Sequence, residues 1–436
     1  MSNQPVNRRR RALLGAALLA PVAAAVALKP RELGGGHNEA FLRMQTALRD
    51  AGLFRPTLVI DRASLLHNIG RLKANLPKSK HYRIVAKSLP SLDLIRTVRQ
   101  LTGTDRLMVF HQPFLNLVAK QMPDASLLVG KPMPIGAAAR FFEHLTDATV
   151  FDPAAQVDWL IDTTQRLQEY RDLARANVAA GSAPMRVNLE LDIGLHRGGF
   201  RTAEAVAEVI QVLKAEPSMR FSGFMGYEAH ASKMPGILGG PQKALDKAMA
   251  QYSSCVDVAR ELLGSDFDPD ALVLNAGGSS TYELYTDASP CNEVSMGSGL
   301  VMPTDFDKPT LADHRPAAYI ATPVLKALDR TDLPGLESMT GLFSSWDPNA
   351  ARTFYTYGGY WHADTVSPPG LQHNAIWGHS TNQEMLNGSA QVQLAVDDFV
   401  FYRPHQSEFV FLEFGDIAVY AEGRIVDSWP VFSQGA

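Results

Sequence analysis

"HYRIVAKSLPSLDLIRTV", residues 81–98, holds two periods side by side. Ile84, Val85 and Ala86 form an apolar row that reads as a buried strand. Leu92, Ile95 and Val98 recur every third residue, which reads as one face of a helix. Lys87 stands where the strand should end. A strand followed by a helix is the repeating unit of α/β proteins. The same alternation continues on both sides. "TLVIDR" from Thr57 reads as a strand, and "ASLLHNIGRLKANL" as a helix with Leu65, Ile69 and Leu72 on one face. "RLMVF" (106–110), "SLLVG" (126–130) and "ATVFD" (148–152) are short apolar runs, each followed by a helical stretch. "MRVNLELDIG" (185–194) and "RFSGFMGYEAH" (220–230) are strands with helices behind them, and "ALVLNAGG" (271–278) is a further strand. In the long helix from Pro241, residues Leu245, Met249, Tyr252, Val256, Ala259 and Leu263 make one apolar face, and the proline suits the first turn.

About eight such units in roughly 250 residues predict an α/β fold, a (β/α)8 TIM barrel over residues 57–308, rather than an open doubly wound sheet. No G-x-G-x-x-G follows the first strand, which weighs against a dinucleotide fold. Beyond about residue 310 the runs "AAYIATPVLKAL", "AQVQLAV", "DFVFYRP", "EFVFLEF" and "DIAVYAEGRIVDSW" follow one another without long helices. Residues 309–436 therefore read as a second, mostly β domain.

The chain has 436 residues, enough for two domains. It is 46 % hydrophobic and 20 % charged, a globular balance. A formal net charge of -4, with no basic stripe in the body of the chain, argues against nucleic acid as a partner. Two cysteines, Cys255 and Cys291, make no disulfide framework and read as small buried hydrophobes.

The basic residues gather instead at Arg8–Arg11. An apolar run from Ala12 to Leu28 follows, shorter than the roughly 20 residues a bilayer span needs. Ala25-Val26-Ala27 has the A-x-A form of a cleavage site. Residues 1–27 read as an export signal. The paired arginines resemble a twin-arginine (Tat) signal, which carries folded proteins and implies the Tat machinery as partner and a periplasmic destination. Left uncleaved, the segment would anchor the protein to the membrane.

In a barrel of this kind, chemistry sits at the C-terminal ends of the strands. Lys87, "DIGLHRGGF" (192–200), "GYEAHAS" (226–232), "NAGGSST" (275–281) and "EVSMGSG" (293–299) all fall there. Each has an ordinary alternative: a surface lysine, a plain turn, a satisfied core histidine at His230. Taken together they say more. A lysine held in a barrel mouth can form a Schiff base with a carbonyl. Gly277 and Gly278, followed by Ser279, Ser280 and Thr281, offer backbone N–H groups and hydroxyls that suit a phosphate. Arg197 lies in a loop whose neighbours Gly194, Gly198 and Gly199 let backbone come close. A Schiff-base lysine with a phosphate cradle points to pyridoxal phosphate.

The sequence resembles the fold-type III pyridoxal phosphate enzymes, with their alanine racemase-like barrel, and within them the D-threonine aldolase / D-serine dehydratase branch. The resemblance runs from about Thr57 to the C-terminus. It is carried by "RIVAKSLPS", "ELDIGLHRGGF", "GYEAH", "AGGSSTY" and "EVSMGSGLVMPTDF". It implies that Lys87 holds the cofactor as a Schiff base and that Arg197 faces its phenolic oxygen. It implies that Tyr227 and His230 lie by the ring, His230 or Lys87 carrying protons. Gly277, Gly278, Ser279, Ser280 and Thr281, with Gly297 and Ser298, would hold the phosphate. Residues 31–56 would complete the β domain, and the active site would form across a homodimer.

The branch also implies a divalent metal, through a P-x-H-x-C or H-x-D pair in the β domain. In "YRPHQSEF" His405 matches the histidine, but Ser407 stands where cysteine or aspartate is expected. Serine is a poor ligand beside either, and Glu408 is the adjacent substitute. "STNQEML" (380–386) stands near the place of the branch's "SEEHG" and is altered. The implied activity is a lyase on a D- or 3-hydroxy amino acid, by retro-aldol cleavage or by dehydration. An amino-acid racemase on the same fold and a non-catalytic pyridoxal phosphate-binding barrel are the alternatives.

Overall fold

The computed structural model describes residues 29–145, 150–332, 335, 337, 345–374 and 376–433. The expected export signal, residues 1–27, lies outside the described residues. The described chain divides into two compact units. One contains the chain up to Pro56 and Ala321–Tyr402; the other contains Thr57–Ile320 and Arg403–Ala436. The expected β domain took in all of 309–436, whereas the stretch from Arg403 onward groups with the barrel. No described helix is long and apolar enough to cross a membrane.

The larger unit is built on a closed barrel of eight parallel strands. They are β2 (His81–Val85), β3 (Arg106–Val109), β4 (Ser126–Val129), β5 (Val157–Ile161), β6 (Met185–Leu191), β7 (Met219–Gly226), β8 (Val273–Ala276) and β9 (Glu293–Met296). Strand β2 pairs with β3 on one side and β9 on the other, which closes the ring. The first helix of the chain, α1 (Glu39–Asp50), belongs to the smaller unit. The larger unit carries α2 (Arg62–Asn75), α3 (Leu92–Thr102), α4 (Gln112–Gln121), α5 (Ile135–Glu143), α6 (Pro153–Gln156), α7 (Thr164–Ala179), α8 (Ala203–Ala215) and α9 (Gly240–Leu263). Their apolar stripes are the expected ones. Leu65, Ile69 and Leu72 of α2 are buried, as are Leu245, Met249, Tyr252, Val256 and Ala259 of α9, while Leu263 is only half-buried. Helix α3 stops at Gly103, whose φ of 76° lets its N–H turn back to the Arg99 carbonyl. Cys255 and Cys291 are both unpaired and buried.

Five expectations are corrected. "TLVIDR" is not the first barrel strand. Its strand β1 (Thr57–Asp61) pairs in parallel with β16 (Ile417–Ala421), which pairs antiparallel with β17 (Arg424–Trp429). Thr57–Ile60 are buried on both faces, so the run has the same apolar look as a barrel strand. The ring instead begins with the Lys87 strand and ends with "EVSM", expected only as a loop. The run "ATVFD" is partly outside the described residues, and Val150–Asp152 is not a strand; the barrel strand there is the following "VDWLI". "AQVQLAV" buries Val392 and Leu394 but joins no ladder, because alternation reports burial and not pairing. "EFVFLEF" turns at Phe409, with φ of 61°, into a short 3-10 helix at Val410–Leu412.

In the smaller unit, the later part of β10 (Ala318–Leu328) pairs antiparallel with β11 (Arg352–Thr356). Strand β11 pairs with β14 (Met385–Gly388), and β14 with β13 (Gln372–His373). Strand β12 (Ala363–Ser367) pairs with β15 (Phe399–Pro404).

Inside the barrel, side chains point inward at every second position. Met108, Leu128, Leu160, Met225 and Val273 make an apolar plug, with Val85, Phe110 and Tyr227 packed on it. An ionic layer shares the interior. Glu293, fully buried, accepts from Arg83 Nε, from Arg106 Nη1 at 2.8 Å and from Asn275 Nδ2 at 2.9 Å. Burial pushes the Glu293 carboxyl up, but Arg83 foremost and Arg106 outweigh it and hold the group below its ordinary value.

Candidate active site

Strand β2 ends at Val85, and a single 3-10 turn, Ala86–Ser88, swings Lys87 into the barrel mouth. The side chain lines a cavity whose walls include Met108, Phe110, Arg197, Tyr227, Asn275 and Glu408. The Lys87 ammonium lies 3.0 Å from Glu408 Oε1 and 4.6 Å from the centre of the Phe110 ring. Ser88 Oγ donates to the same Glu408 oxygen at 3.1 Å. Ser298 Oγ bonds Ser88 Oγ at 3.0 Å and Ser407 Oγ at 3.2 Å. Ser407, Ser298, Ser88, Glu408 and Lys87 thus form one hydrogen-bonded chain ending at the amine. The Arg197 guanidinium sits 5.1 Å over the ring of Tyr227, whose hydroxyl burial pushes up to about 12.

Two loops after β8 and β9 face the same cavity. Gly277 has φ of 84°, the left-handed region glycine tolerates. A Cβ on Gly278 would stand 2.6 Å from the Tyr227 ring, and one on Gly297 2.8 Å from Ser88 Cβ and the Val85 carbonyl. Ser279 Oγ accepts from the N–H groups of Gly297 at 3.3 Å and Gly299 at 2.9 Å. With both acceptor sites engaged, its O–H proton is left to donate. Asn275 Oδ1 is buried in the wall with no hydrogen-bond partner among the described residues. Behind the loop, fully buried Glu228 accepts from Gly277 N–H at 3.2 Å and Thr281 Oγ1 at 2.5 Å. Burial drives its carboxyl upward.

A model of the family described as alanine racemase, N-terminal domain, matches residues 60–305, more than half of the chain. The chain belongs to that family. It is the barrel of the fold-type III pyridoxal phosphate enzymes.

The chain is 29 % identical to 3-hydroxy-D-aspartate aldolase of Paracoccus denitrificans over 143 residues, 33 % of this chain and 35 % of that protein. It is 26 % identical to alanine racemase of Levilactobacillus brevis over 185 residues, 41 % of this chain and 46 % of that protein. The matches thus span about a third to a half of these curated relatives. Among solved structures, D-threonine aldolase from Filomicrobium marinum superposes with a TM-score of 0.66 at 14 % identity, over 87 % of this chain and 95 % of that one. D-threo-3-hydroxyaspartate dehydratase from a Delftia species gives 0.63 at 14 %, over 86 % and 97 %. At that identity the likeness concerns the fold.

The alanine racemase-family cavity fits pyridoxal phosphate on the chain's own chemistry. It offers an amine for the aldehyde, a serine hydroxyl free to donate, glycines where a Cβ would fill the cradle, and an unpartnered buried amide oxygen. Of the expected residues, the cavity brings together Lys87, Arg197, Tyr227, Gly277, Gly278, Ser279, Gly297 and Ser298. Ser280 and Thr281 lie behind it, Thr281 bonded to Glu228. His230 is not in the wall. It sits just after β7 with its ring against Gly194, its Nδ1 buried and without a partner among the described residues, and burial lowers its pKa.

His405 follows β15, and its carbonyl accepts from Asp305 N–H. The two neighbours weighed as its fellow ligands are committed elsewhere, Ser407 to Ser298 and Glu408 to Lys87. Among the described residues, the groups that gather three ligand-type atoms are His373, His379 and Glu384, and Glu283, Asp313 and His314. Sequence reasoning missed Asn275 and placed Glu408 only beside a metal. Asn275 carried a signal, being the first residue of the quoted "NAGGSST" on an inward-facing period of two. Glu408 carried none, since its pairing with Lys87 spans more than three hundred residues.

Proposed function

We propose that this protein is a pyridoxal phosphate-dependent lyase acting on a D-configured or 3-hydroxy amino acid. The observation that carries the reading is Lys87 and Glu408 paired at 3.0 Å in the same cavity as the glycine–serine cradle. When bound, the cofactor draws electron density from a bond at the substrate's Cα. The chain's own residues do the rest. Gly278, Ser279, Gly297 and Ser298 hold the phosphate, with Ser279 Oγ donating. Arg197 fixes a positive charge over Tyr227. Met108, Phe110 and Met225 exclude water from one wall. Lys87 Nζ anchors the cofactor and carries a proton to or from Cα. Glu408, aimed by Ser88, is the carboxylate within reach of a substrate hydroxyl. It takes that hydroxyl's proton in an aldol cleavage and gives a proton to it in a dehydration. The aldolase and dehydratase names of the relatives and fold neighbours support a β-hydroxy substrate.

Loaded enzyme incubated with D-threonine, D-serine and 3-hydroxy-D-aspartate should release either glycine with an aldehyde or a keto acid with ammonia. The L-enantiomers should react at least ~100-fold more slowly, a difference of about 2.7 kcal/mol in transition-state binding. Racemisation in deuterated solvent without either product set would favour the second reading, a racemase, which the Levilactobacillus match supports. A cofactor spectrum that no D-amino acid perturbs would leave a binding protein without turnover. The reading includes a homodimer, supported by the branch resemblance.

We further propose that Arg8–Arg11 and the apolar run after them direct Tat export to the periplasm. A cytoplasmic cofactor is most simply loaded before the folded protein crosses. Arg8→Lys, Arg9→Lys, Arg10→Lys and Arg11→Lys combined, which leave no arginine pair, should trap the protein inside the cell, read by fractionation. Unchanged export would refute the Tat route.

A further inference from the structure

In the smaller unit, three side chains converge that are not among the residues lining the cavity just described. Glu384, immediately before β14, is fully buried. Its Oε1 lies 2.8 Å from His373 Nδ1 and 2.7 Å from His379 Nδ1, and its Oε2 accepts from Ser380 N–H at 2.7 Å. No lysine or arginine pairs with it among the described residues; its side-chain partners there are the two imidazoles. A carboxylate buried without a permanent cation is costly unless a positive charge meets it.

The surroundings hold the two rings in place. His379 is covered by Tyr360, whose ring stacks on it at 4.8 Å and 22°. Tyr360 reaches that position with φ of 58°, a conformation non-glycine residues seldom adopt. The preceding Gly359 has φ of 157°, and a Cβ there would strike Glu384 Cβ at 2.2 Å. The backbone thus closes on Glu384 from one side. The His373 and His379 rings meet at 4.7 Å and 63°. His379 remains 43 % exposed in its side chain, so the trio opens to solvent.

We propose that His373, His379 and Glu384 bind one divalent transition-metal ion, of the zinc class, with water completing the coordination. Two imidazoles and a carboxylate suit that class, and three protein ligands with an open position form an exchangeable site. The three ligand atoms lie within 4.8 Å of one another. Bonds of about 2.0–2.1 Å at tetrahedral angles need ligand atoms roughly 3.3 Å apart, so small ring shifts open the space. Proton accounting closes. Each neutral ring keeps one proton, moved through water from Nδ1 to Nε2, and Nδ1 gives its lone pair to the metal. The carboxylate supplies one negative charge. The site does not use His405, and its occupancy does not depend on the reaction proposed above.

The test uses the full chain, stripped of metal by chelator and titrated with Co²⁺ as a visible reporter and with Zn²⁺ in competition. One Co²⁺ per chain should bind with ligand-field absorption, and Zn²⁺ should displace it. His379→Ala, at a half-exposed position that leaves the core intact, should weaken binding by more than about a hundredfold, beyond the 10–100-fold typical of losing an outer-shell partner. His405→Ala should leave the signal unchanged. Equal binding by wild type and His379→Ala, or loss in His405→Ala alone, would overturn the assignment. So would the absence of any Co²⁺ signal, which would leave the trio as a hydrogen-bonded network. Circular dichroism of each variant separates misfolding from ligand loss, and His379→Gln provides a second, less disruptive variant, expected to weaken binding like His379→Ala.

Discussion

Lys87→Ala should carry no reducible cofactor linkage and should lose turnover by at least ~10³-fold, about 4 kcal/mol of transition-state stabilisation. Borohydride treatment of the loaded wild type should fix a phosphopyridoxyl group on the peptide containing Lys87, read by mass spectrometry. The variant should show none there. Lys87→Arg sharpens the result, because it keeps a cation beside Glu408 but cannot form the Schiff base. It should be as inactive as the alanine variant. Folding should barely change in either, since Lys87 and Glu408 are both partly exposed and such pairs add little. An adduct on another lysine, or full activity in either variant, would sink the assignment of the cavity as the active site.

Glu293→Gln should be the most destabilising of the near-isosteric changes inside the barrel, by about 3–5 kcal/mol. The substitution opens no cavity, so the loss is electrostatic. It leaves Arg83, which is fully buried, without its carboxylate in the barrel interior. Arg106 suffers less, because its side chain is 22 % exposed and can turn toward water. Arg83 keeps hydrogen bonds to the Leu107 and Ser126 carbonyls, which offset only part of the loss. Urea unfolding should show the midpoint fall. The double variant Arg83→Met with Glu293→Leu should recover much of it, because apolar residues of similar size replace both charges at little cost. A double variant no more stable than Glu293→Gln would mean that shape, not charge, sets the layer's stability.

Much of this arrangement was legible in the chain because it is local. A strand's period of two and a helix's period of about 3.6 are written in adjacent residues. The β2–α3 junction, the apolar faces of α2 and α9, and the glycine–serine loop after β8 were therefore read correctly from short stretches. Lys87, Arg197, Gly277, Gly278 and Ser279 were named from their positions at strand ends, Tyr227, Gly297 and Ser298 from the family resemblance, and the cavity gathers all of them. His230 obeyed the same positional rule and still falls outside the wall, because position at a strand end does not say which way a turn faces.

What the sequence by itself determined is the βα alternation, the barrel it builds and the residues at its mouth, since each is a property of a few neighbouring residues. Tertiary structure alone decided which apolar runs enter the ring. Strand β1 looks like a barrel strand but pairs with β16, more than three hundred residues away. It also decided the fate of Glu408 and Glu384. One pairs with Lys87, and the other collects two histidines. The physical reason is common to these cases. Strand pairing and ion pairing depend on distance in space, and that distance is set only after the chain has closed on itself.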